Sequence, residues 1–275
     1  MLAAAAQFPN ALLVGVELDP VAALLLRANI VALGLERRTT VIVDDYRSAV
    51  IPDIAGRTLF IGNPPYVRHH KISKGWKDWY GNAAAKFGVP ASKLAGLHLH
   101  FYLRTLQLAK HGDIGTFITS SEWLDVNYGQ TLRALLLREL GGLAIHVLEP
   151  GAMPFADAMT TGAIVCFRVG EPLPSMCIRN VPAIQMLNGL SSGTIVPRAE
   201  FEKARRWSVI VKPTAAPPPG YIELGELCAV HRGQVTGSNA TWIAGEVAKN
   251  FLPGRVPEAD GHQGKRDHRC QRRFA

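Results

Sequence analysis

Four consecutive residues, Asn63-Pro64-Pro65-Tyr66, constrain the fold of this chain more than any other feature of its sequence. They follow the apolar run from Thr58 to Gly62, which is typical of a short buried strand. Each proline fixes its own φ angle and lacks a backbone N–H, so the pair does not fit inside a sheet. The sequence therefore predicts a rigid turn at the end of a strand.

The chemistry of this turn suits the recognition of an amino group. The proline carbonyls make no ladder bonds, and with the Asn63 side-chain oxygen they form a set of acceptors for the two hydrogens of an –NH2 group. Tyr66 offers a flat face that can stack on the ring bearing the amine. For an isolated match, a surface turn or a polyproline ligand is the simpler interpretation. The functional interpretation therefore depends on the rest of the sequence.

Two acidic strand ends precede this turn at the spacing of an α/β sheet. Residues 11–18 predict a buried strand that ends in Glu17-Leu18-Asp19-Pro20, where Asp19 and Pro20 are suited to begin a helix. Residues 39–43 predict a second strand, which ends in Asp44-Asp45-Tyr46. Because strand–helix–strand units give parallel strands with right-handed connections, we expect these ends at one edge of a sheet.

Ligands of such sheets bind beyond the carboxyl ends of the strands. Glu17 is suited to hold ribose hydroxyls, because a carboxylate can accept hydrogen bonds from two of them at once. Asp45 is suited to accept from an adenine amino group. Alternatively, each acid is a helix cap or a solvated side chain. The order of all three features along the chain favours the functional interpretation.

These residues resemble a known family. Gly15 to Pro20, Asp45, and Ile61 to Val67 look like the second, third and fourth motifs of S-adenosylmethionine-dependent DNA adenine-N6 methyltransferases of restriction-modification systems. The likeness extends from residue 11 to about 170. It implies an α/β fold: a Rossmann-like class I methyltransferase sheet with helices on both faces. S-adenosylmethionine as cofactor and double-stranded DNA as partner are also implied, with a cognate restriction endonuclease as a further partner.

The resemblance also assigns roles to individual residues. The implied catalytic residues are Asn63, Pro64, Pro65 and Tyr66, and the implied cofactor-binding residues are Glu17, Leu18, Asp45, Tyr46 and Asn63. Pro154 to Val165 resembles the turn and last hairpin strand of the family, which places Phe155 where an aromatic ring stacks on the flipped base. The implied mechanism is direct methyl transfer without a metal or a carboxylate base.

One departure from the family concerns the start of the chain. The family begins with a strand and a Gly-rich loop that carries the methionine end of the cofactor, and the residues before Ala11 cannot supply them. Met1 to Gln7 instead resembles the end of a helix. We therefore expect a chain truncated at both ends, for which an inactive remnant of such an enzyme is one alternative. The other alternative is an RNA guanine-N2 methyltransferase or a protein glutamine methyltransferase, since these enzymes use the same acceptors.

The charge of the chain fits a polyanionic partner. Its formal net charge is +8, and the segment from Val67 to Tyr80 interleaves cations with tryptophans directly after the turn. Arg68 and Lys71 flank the proposed site, so we expect them to contact DNA phosphates. For Trp76 and Trp79, contact with the substrate and packing on the domain surface remain equally open.

The sequence predicts a catalytic domain over 1–185, a linker over 186–220, the start of a target-recognition domain over 221–253 and a basic, disordered tail over 254–275. Within the first domain, residues 67–96 form a long insertion. His98 and His100 are expected to be packing or exposed residues. The four cysteines lack metal-ligand spacing, and no apolar run approaches the roughly 20 residues that span a bilayer. We therefore expect a cytoplasmic monomer without a metal.

Overall fold

The structure is a computed structural model that describes residues 1–152, 161–187, 193–212, 218, 220–222 and 227–228. The chain divides into two compact units, Met1–Ala215 and Ala216–Ala275. The helices and strands given below all lie in the first unit. Within the described part of the chain, no helix is both long and apolar enough to cross a membrane.

The first part of this unit is a two-stranded parallel sheet with its helices. In chain order its elements are α1 Leu2–Gln7, β1 Leu13–Glu17, α2 Pro20–Ala32 and β2 Thr39–Val43. The Asp19 side chain accepts a hydrogen bond from the backbone N–H of Val21, and Pro20 occupies the first turn of α2. This is the helix start that the sequence predicts. The strands are in a register that pairs Glu17 with Val43.

The second part is a six-stranded mixed sheet in the order β3-β4-β6-β5-β7-β8. Its strands are β3 Leu59–Gly62, β4 Ile114–Ser120, β5 Gly142–Leu148, β6 Gly162–Arg168, β7 Ser175–Val181 and β8 Thr194–Pro197. β3 runs parallel to β4, and β5 runs parallel to β7. β6 is antiparallel to both of its neighbours, so the parallel arrangement expected from the early strands does not continue across the sheet.

The main hydrophobic core lies against this second sheet. The helices of this part are α3 Lys74–Lys86, α4 Leu97–Leu108, α5 Gln130–Leu137, α6 Arg198–Lys203 and α7 Ser208–Val211. Leu99, Tyr102 and Leu103 of α4 are buried, and the Tyr102 ring lies 5.1 Å from the ring of Phe117 on β4. Burying one leucine side chain contributes about 1.5–3 kcal/mol, so the contact between α4 and this sheet stabilises the unit strongly.

The first unit extends beyond the domain boundary that the sequence predicts at residue 185. β8, α6 and α7 lie within the predicted linker, and Phe201 and Trp207 are fully buried. The buried Arg198 donates hydrogen bonds to the carbonyls of Leu136, Gly142 and Leu173. These contacts tie the segment to α5 and β5. Most of the predicted target-recognition domain and tail lies outside the described residues.

Candidate active site

The predicted acidic residues lie at one edge of the β1–β2 sheet. Glu17 ends β1 beside Val43, and the backbone N–H of Asp44 donates to the Glu17 carbonyl at 3.1 Å. The carboxylate of Glu17 accepts the N–H of Asp19 through Oε1 at 2.9 Å. Oε2 receives no hydrogen bond from a described residue, and Leu18 is 68% exposed. Glu17 therefore retains an acceptor for a ligand at this edge.

Asp45 is held by Arg47 two residues later. The Arg47 Nε donates to Oδ1 at 2.9 Å, its Nη2 donates to Oδ2, and its backbone N–H also reaches Oδ1. Burial alone would raise the pKa of Asp45, but the hydrogen bonds and charge of Arg47 outweigh burial and lower it. The same guanidinium lies 3.8 Å from the centre of the Trp76 ring. Asp45 is thus ionised and fixed, and it can bind a ligand only through its remaining lone pairs.

Tyr46 fastens the same loop to α4. Its hydroxyl forms a hydrogen bond with Thr105 Oγ1 at 2.9 Å, and its ring stacks on Phe101 with centroids 4.9 Å apart. The Tyr46 carbonyl accepts from Arg104 Nε at 3.3 Å. Burial raises the pKa of Tyr46 to about 12, so its hydroxyl is neutral near pH 7. The loop that follows β2 therefore has a fixed position on the helix.

The turn from Asn63 to Tyr66 leaves the sheet at the carboxyl end of β3. Asn63 is exposed and makes no side-chain hydrogen bond to another described residue, whereas Pro64 is buried. The backbone N–H of Val67 donates to the Pro65 carbonyl at 3.1 Å, and the Val67 carbonyl accepts the N–H of Leu97 at 2.9 Å. The turn is therefore anchored to the start of α4. The Pro65 carbonyl thus already accepts one hydrogen bond, whereas the Asn63 side chain and the Pro64 carbonyl receive none from a described residue.

Helix α4 brings this turn and the Tyr46 loop together. The Tyr66 ring lies 6.4 Å from the ring of His98, while Tyr46 contacts Phe101 and Thr105. Residues 98, 101 and 105 share one helix face because they are separated by steps of three and four. Tyr66 and Tyr46 thus lie along successive turns of one helix. Tyr66 is 41% exposed, and partial burial raises the pKa of its hydroxyl.

Two histidines of α4 support the site from below the surface. His98 and His100 are buried, and burial lowers the pKa of His98 to about 4 and of His100 to about 3. His100 stacks on Tyr80 at 4.5 Å and on Trp79 at 5.8 Å. Of the two expectations for these histidines, packing and exposure, the structure therefore supports packing for both. The contacts of Trp79 with His100 and of Trp76 with Arg47 also favour packing for the two tryptophans.

Of the three predicted substrate-binding residues, the structure describes Arg68 and Lys71 but not Phe155. Arg68 and Lys71 are exposed just after the turn and form no ion pair with another described residue. Phe155 lies outside the described residues. The strand before Phe155, β5, ends at Leu148, and the strand after it, β6, begins at Gly162. Gly162 pairs in register with Leu148 and, on its other side, with Ser120 of β4. Both flanking strands therefore meet the sheet edge from which Asn63 leaves β3.

The mixed sheet, its helices and the polar strand ends define a Rossmann-like fold of the class I methyltransferase type. A modification subunit of a putative type I restriction enzyme from Vibrio vulnificus YJ016 has this fold, with a TM-score of 0.51 and 17% identity over 68% of this chain and 43% of that one. A chain of a type I restriction-modification system gives a TM-score of 0.54 and 14% identity over 78% of this chain and 49% of that one.

Sequence comparison finds similarity to restriction-modification enzymes. Residues 56–145 match the family described as Eco57I restriction-modification methylase. The type II methyltransferase M.XamI of Xanthomonas campestris pv. amaranthicola is 58% identical over 256 residues, which are 93% of this chain and 48% of that protein. Over most of its length, the chain is therefore similar to restriction-modification methylases. It spans about half the length of this curated relative.

Proposed function

We propose that this chain carries the catalytic residues of a DNA methyltransferase that transfers a methyl group from S-adenosylmethionine to the N6 amino group of adenine. The observation that supports this most is the position of Asn63. Its exposed amide follows β3 in a turn that α4 anchors, and the same helix face holds Tyr66 and the Tyr46 loop. Amide and carbonyl oxygens at this place are suited to bind an exocyclic amine.

The residues around the β1–β2 edge fit the nucleoside part of the proposed cofactor. Glu17 Oε2 is available to accept from ribose hydroxyls, and Leu18 is exposed beside it. Asp45, which Arg47 keeps ionised, is proposed to accept from the adenine amino group through its remaining lone pairs, next to Tyr46. When bound, S-adenosylmethionine would supply a methyl carbon on a positively charged sulfur. Attack of the amine nitrogen on that carbon would break the C–S bond, leave a neutral thioether and release one N–H proton to solvent.

The turn is proposed to bind and activate the target amine. An adenine amino group is paired inside duplex DNA, so the base must leave the stack before its nitrogen can react. The Asn63 oxygen and the Pro64 carbonyl accept hydrogen bonds from its two N–H groups. These two hydrogen bonds draw the nitrogen lone pair out of conjugation with the ring. They also stabilise the positive charge that develops on nitrogen during transfer. Tyr66 is proposed to stack on one face of the base and Phe155 on the other.

The experiment replaces Asn63 with alanine and measures transfer of tritiated methyl groups to duplex DNA, followed by digestion to nucleosides. We expect N6-methyladenine from the unmodified chain and a loss of at least about 100-fold in Asn63→Ala, the size associated with one transition-state hydrogen bond. Calorimetric titration should show that both proteins bind S-adenosylmethionine. Asn29→Ala is the matched control, because the Asn29 amide only donates to the Leu25 carbonyl within α2.

The outcomes separate the alternatives. Unchanged N6-methyladenine formation in Asn63→Ala would contradict the role of the turn. A chain that does not bind S-adenosylmethionine would be an inactive remnant. Methylguanine in RNA or methylglutamine in protein, without N6-methyladenine in DNA, would establish one of the other substrates of this type of acceptor site.

A further inference from the structure

The segment after the catalytic turn concentrates positive charge that nearby residues do not neutralise. Residues 67–96 contain six lysine and arginine residues against one acid, Asp78, a net charge of +5 out of +8 for the chain. The six are Arg68, Lys71, Lys74, Lys77, Lys86 and Lys93. None of them takes part in the ion pairs that the described residues form. Charge of this kind is available for an external partner.

Helix α3 exposes part of this positive charge to solvent. Its inner face buries Tyr80, Ala83 and Ala84, and Tyr80 stacks on His100 of α4. Lys74 and Lys86 lie on the exposed face. Because the inner face is packed on the catalytic unit, the cations of the outer face have a fixed position relative to the turn that contains Asn63.

A cavity of about 470 Å³ lies beside the middle of this helix. It brings together two cations from different segments, Lys77 of α3 and Lys93 of the loop before α4. Asn82 and Ser92 also line it and add an amide and a hydroxyl, while Asp78 is its single acid. Paired ammonium groups with neighbouring hydrogen-bond donors are the side chains that bind backbone phosphates.

Gly81 gives a ligand close access to the helix at this cavity. It lies inside α3 and lines the cavity, and a Cβ atom built at this position meets no other atom within 4 Å. Packing therefore does not require glycine here, although glycine weakens a helix relative to alanine. A missing side chain is useful where a backbone or ligand must approach closely.

We propose that the cations of α3 and the loop carrying Lys93 bind the sugar-phosphate backbone of duplex DNA, with a phosphate in the cavity between Lys77 and Lys93. The choice of DNA as the polyanion rests on the proposed function. The surface continues from Arg68 and Lys71 and extends the DNA contact away from the flipped base. Such contacts position the duplex without reading its sequence.

The first test compares Lys77→Gln/Lys93→Gln with the unmodified chain. Fluorescence anisotropy with a mixed-sequence duplex is measured over a series of KCl concentrations. Each lost phosphate contact reduces the slope of log K against log salt by about 0.9. The double variant removes both ligands of one phosphate, so it should lose about 0.9 from this slope and bind more weakly at low salt. Lys203→Gln/Arg205→Gln is the matched control, since it also removes two positive charges, both from exposed side chains. Equal slopes and affinities for the double variant and the unmodified chain would overturn the proposal.

The second test uses Gly81, where binding and stability are expected to change in opposite directions. Gly81→Ala and Gly81→Leu should keep or raise the melting temperature, because both residues favour a helix more than glycine does. Gly81→Leu should nevertheless weaken duplex binding several-fold by filling the approach to the helix. Duplex binding by Gly81→Leu equal to that of the unmodified chain would contradict a phosphate at this cavity.

The two proposals can fail separately. If the double lysine variant binds duplex DNA normally while Asn63→Ala abolishes methyl transfer, the α3 surface is wrong and the proposed function stands. If no methyl transfer is found but the lysine variant loses salt-dependent duplex binding, the surface stands and the proposed reaction is wrong.

Discussion

Residues 1–58 and residues 59–212 are both rich in apolar side chains, but the fraction of these side chains that is buried differs greatly. In α2, Val21, Leu24, Leu25 and Val31 are 61–66% exposed. In α4, Leu99 and Leu103 are at most 1% exposed, and the main core cluster draws its buried members from residues 80–211. An apolar helix is therefore buried only where another layer covers it. The six-stranded sheet provides that layer in the second region.

The first region has much less to pack against. Its sheet has two strands, and α2 buries only Ala23 and Ile30 against the rest of the unit. A two-stranded sheet is marginal without further packing. We therefore expect the stability of this unit to be concentrated in the second region, and the predictions below test this difference.

The largest expected effect comes from paired leucine substitutions. Leu103→Ala removes a fully buried side chain from the core and should lower the free energy of unfolding by about 2–5 kcal/mol. Leu24→Ala removes a side chain that is 66% exposed and should change the free energy of unfolding by less than about 0.5 kcal/mol. Urea unfolding followed by circular dichroism measures both values. Equal losses in the two variants would show that the regions do not differ in this way.

Acid should destabilise the second region first. His98 has a pKa of about 4 in the folded chain because it is buried, against 6.5 when unfolded. Below pH 6.5 the unfolded chain binds a proton that the folded chain does not, so stability falls with pH until about pH 4. Between pH 7 and pH 5 the loss from His98 should be about 2 kcal/mol. Residues 1–58 contain no histidine.

Unfolding experiments at pH 7 and pH 5 measure this contribution. His98→Gln is the comparison, since its side chain does not titrate, and its stability should depend less on pH by the same amount. If both proteins lose the same stability between the two pH values, His98 is not the cause of the acid sensitivity.

The smallest expected effect concerns the contact between the two regions. Arg47 pairs with Asp45 and lies over Trp76 of α3, so Arg47→Ala should cost about 1 kcal/mol. Hydrogen exchange should become faster in the loop after β2. Arg47→Lys should recover only part of the loss, because an ammonium group cannot reproduce the bidentate pair. A loop that exchanges equally in all three proteins would show that Arg47 does not join the regions.

The elements that could be predicted from sequence are those with a strong local pattern. The strands that end at Glu17 and Val43 and the helix that begins at Pro20 agree with the structure within a few residues. Helix α3 was not predicted, because Gly75 and Gly81 weaken its local preference. It forms because Tyr80 and its neighbours pack on α4. The positions of α6 and β8 likewise depend on long-range burial that no local pattern contains.

The candidate site was partly predictable for the same reason. Parallel strands bring their carboxyl ends to one edge, so Glu17 and Asp44 were expected to be neighbours, and a backbone hydrogen bond joins them. The pairing of Asp45 with Arg47 depends on side-chain orientation, which a residue pattern does not specify. The contacts of Tyr46 and Tyr66 with one face of α4 join positions far apart in sequence.

The hydrogen bonds of Arg198 bear on how shorter versions of this protein should be designed. A version ending at residue 185 would leave the Leu136 and Gly142 carbonyls without the donor that satisfies them in the interior. It would also expose the surface that Phe201 and Trp207 cover. For expression and crystallisation, the chain should therefore end after Ala215, where the first compact unit closes.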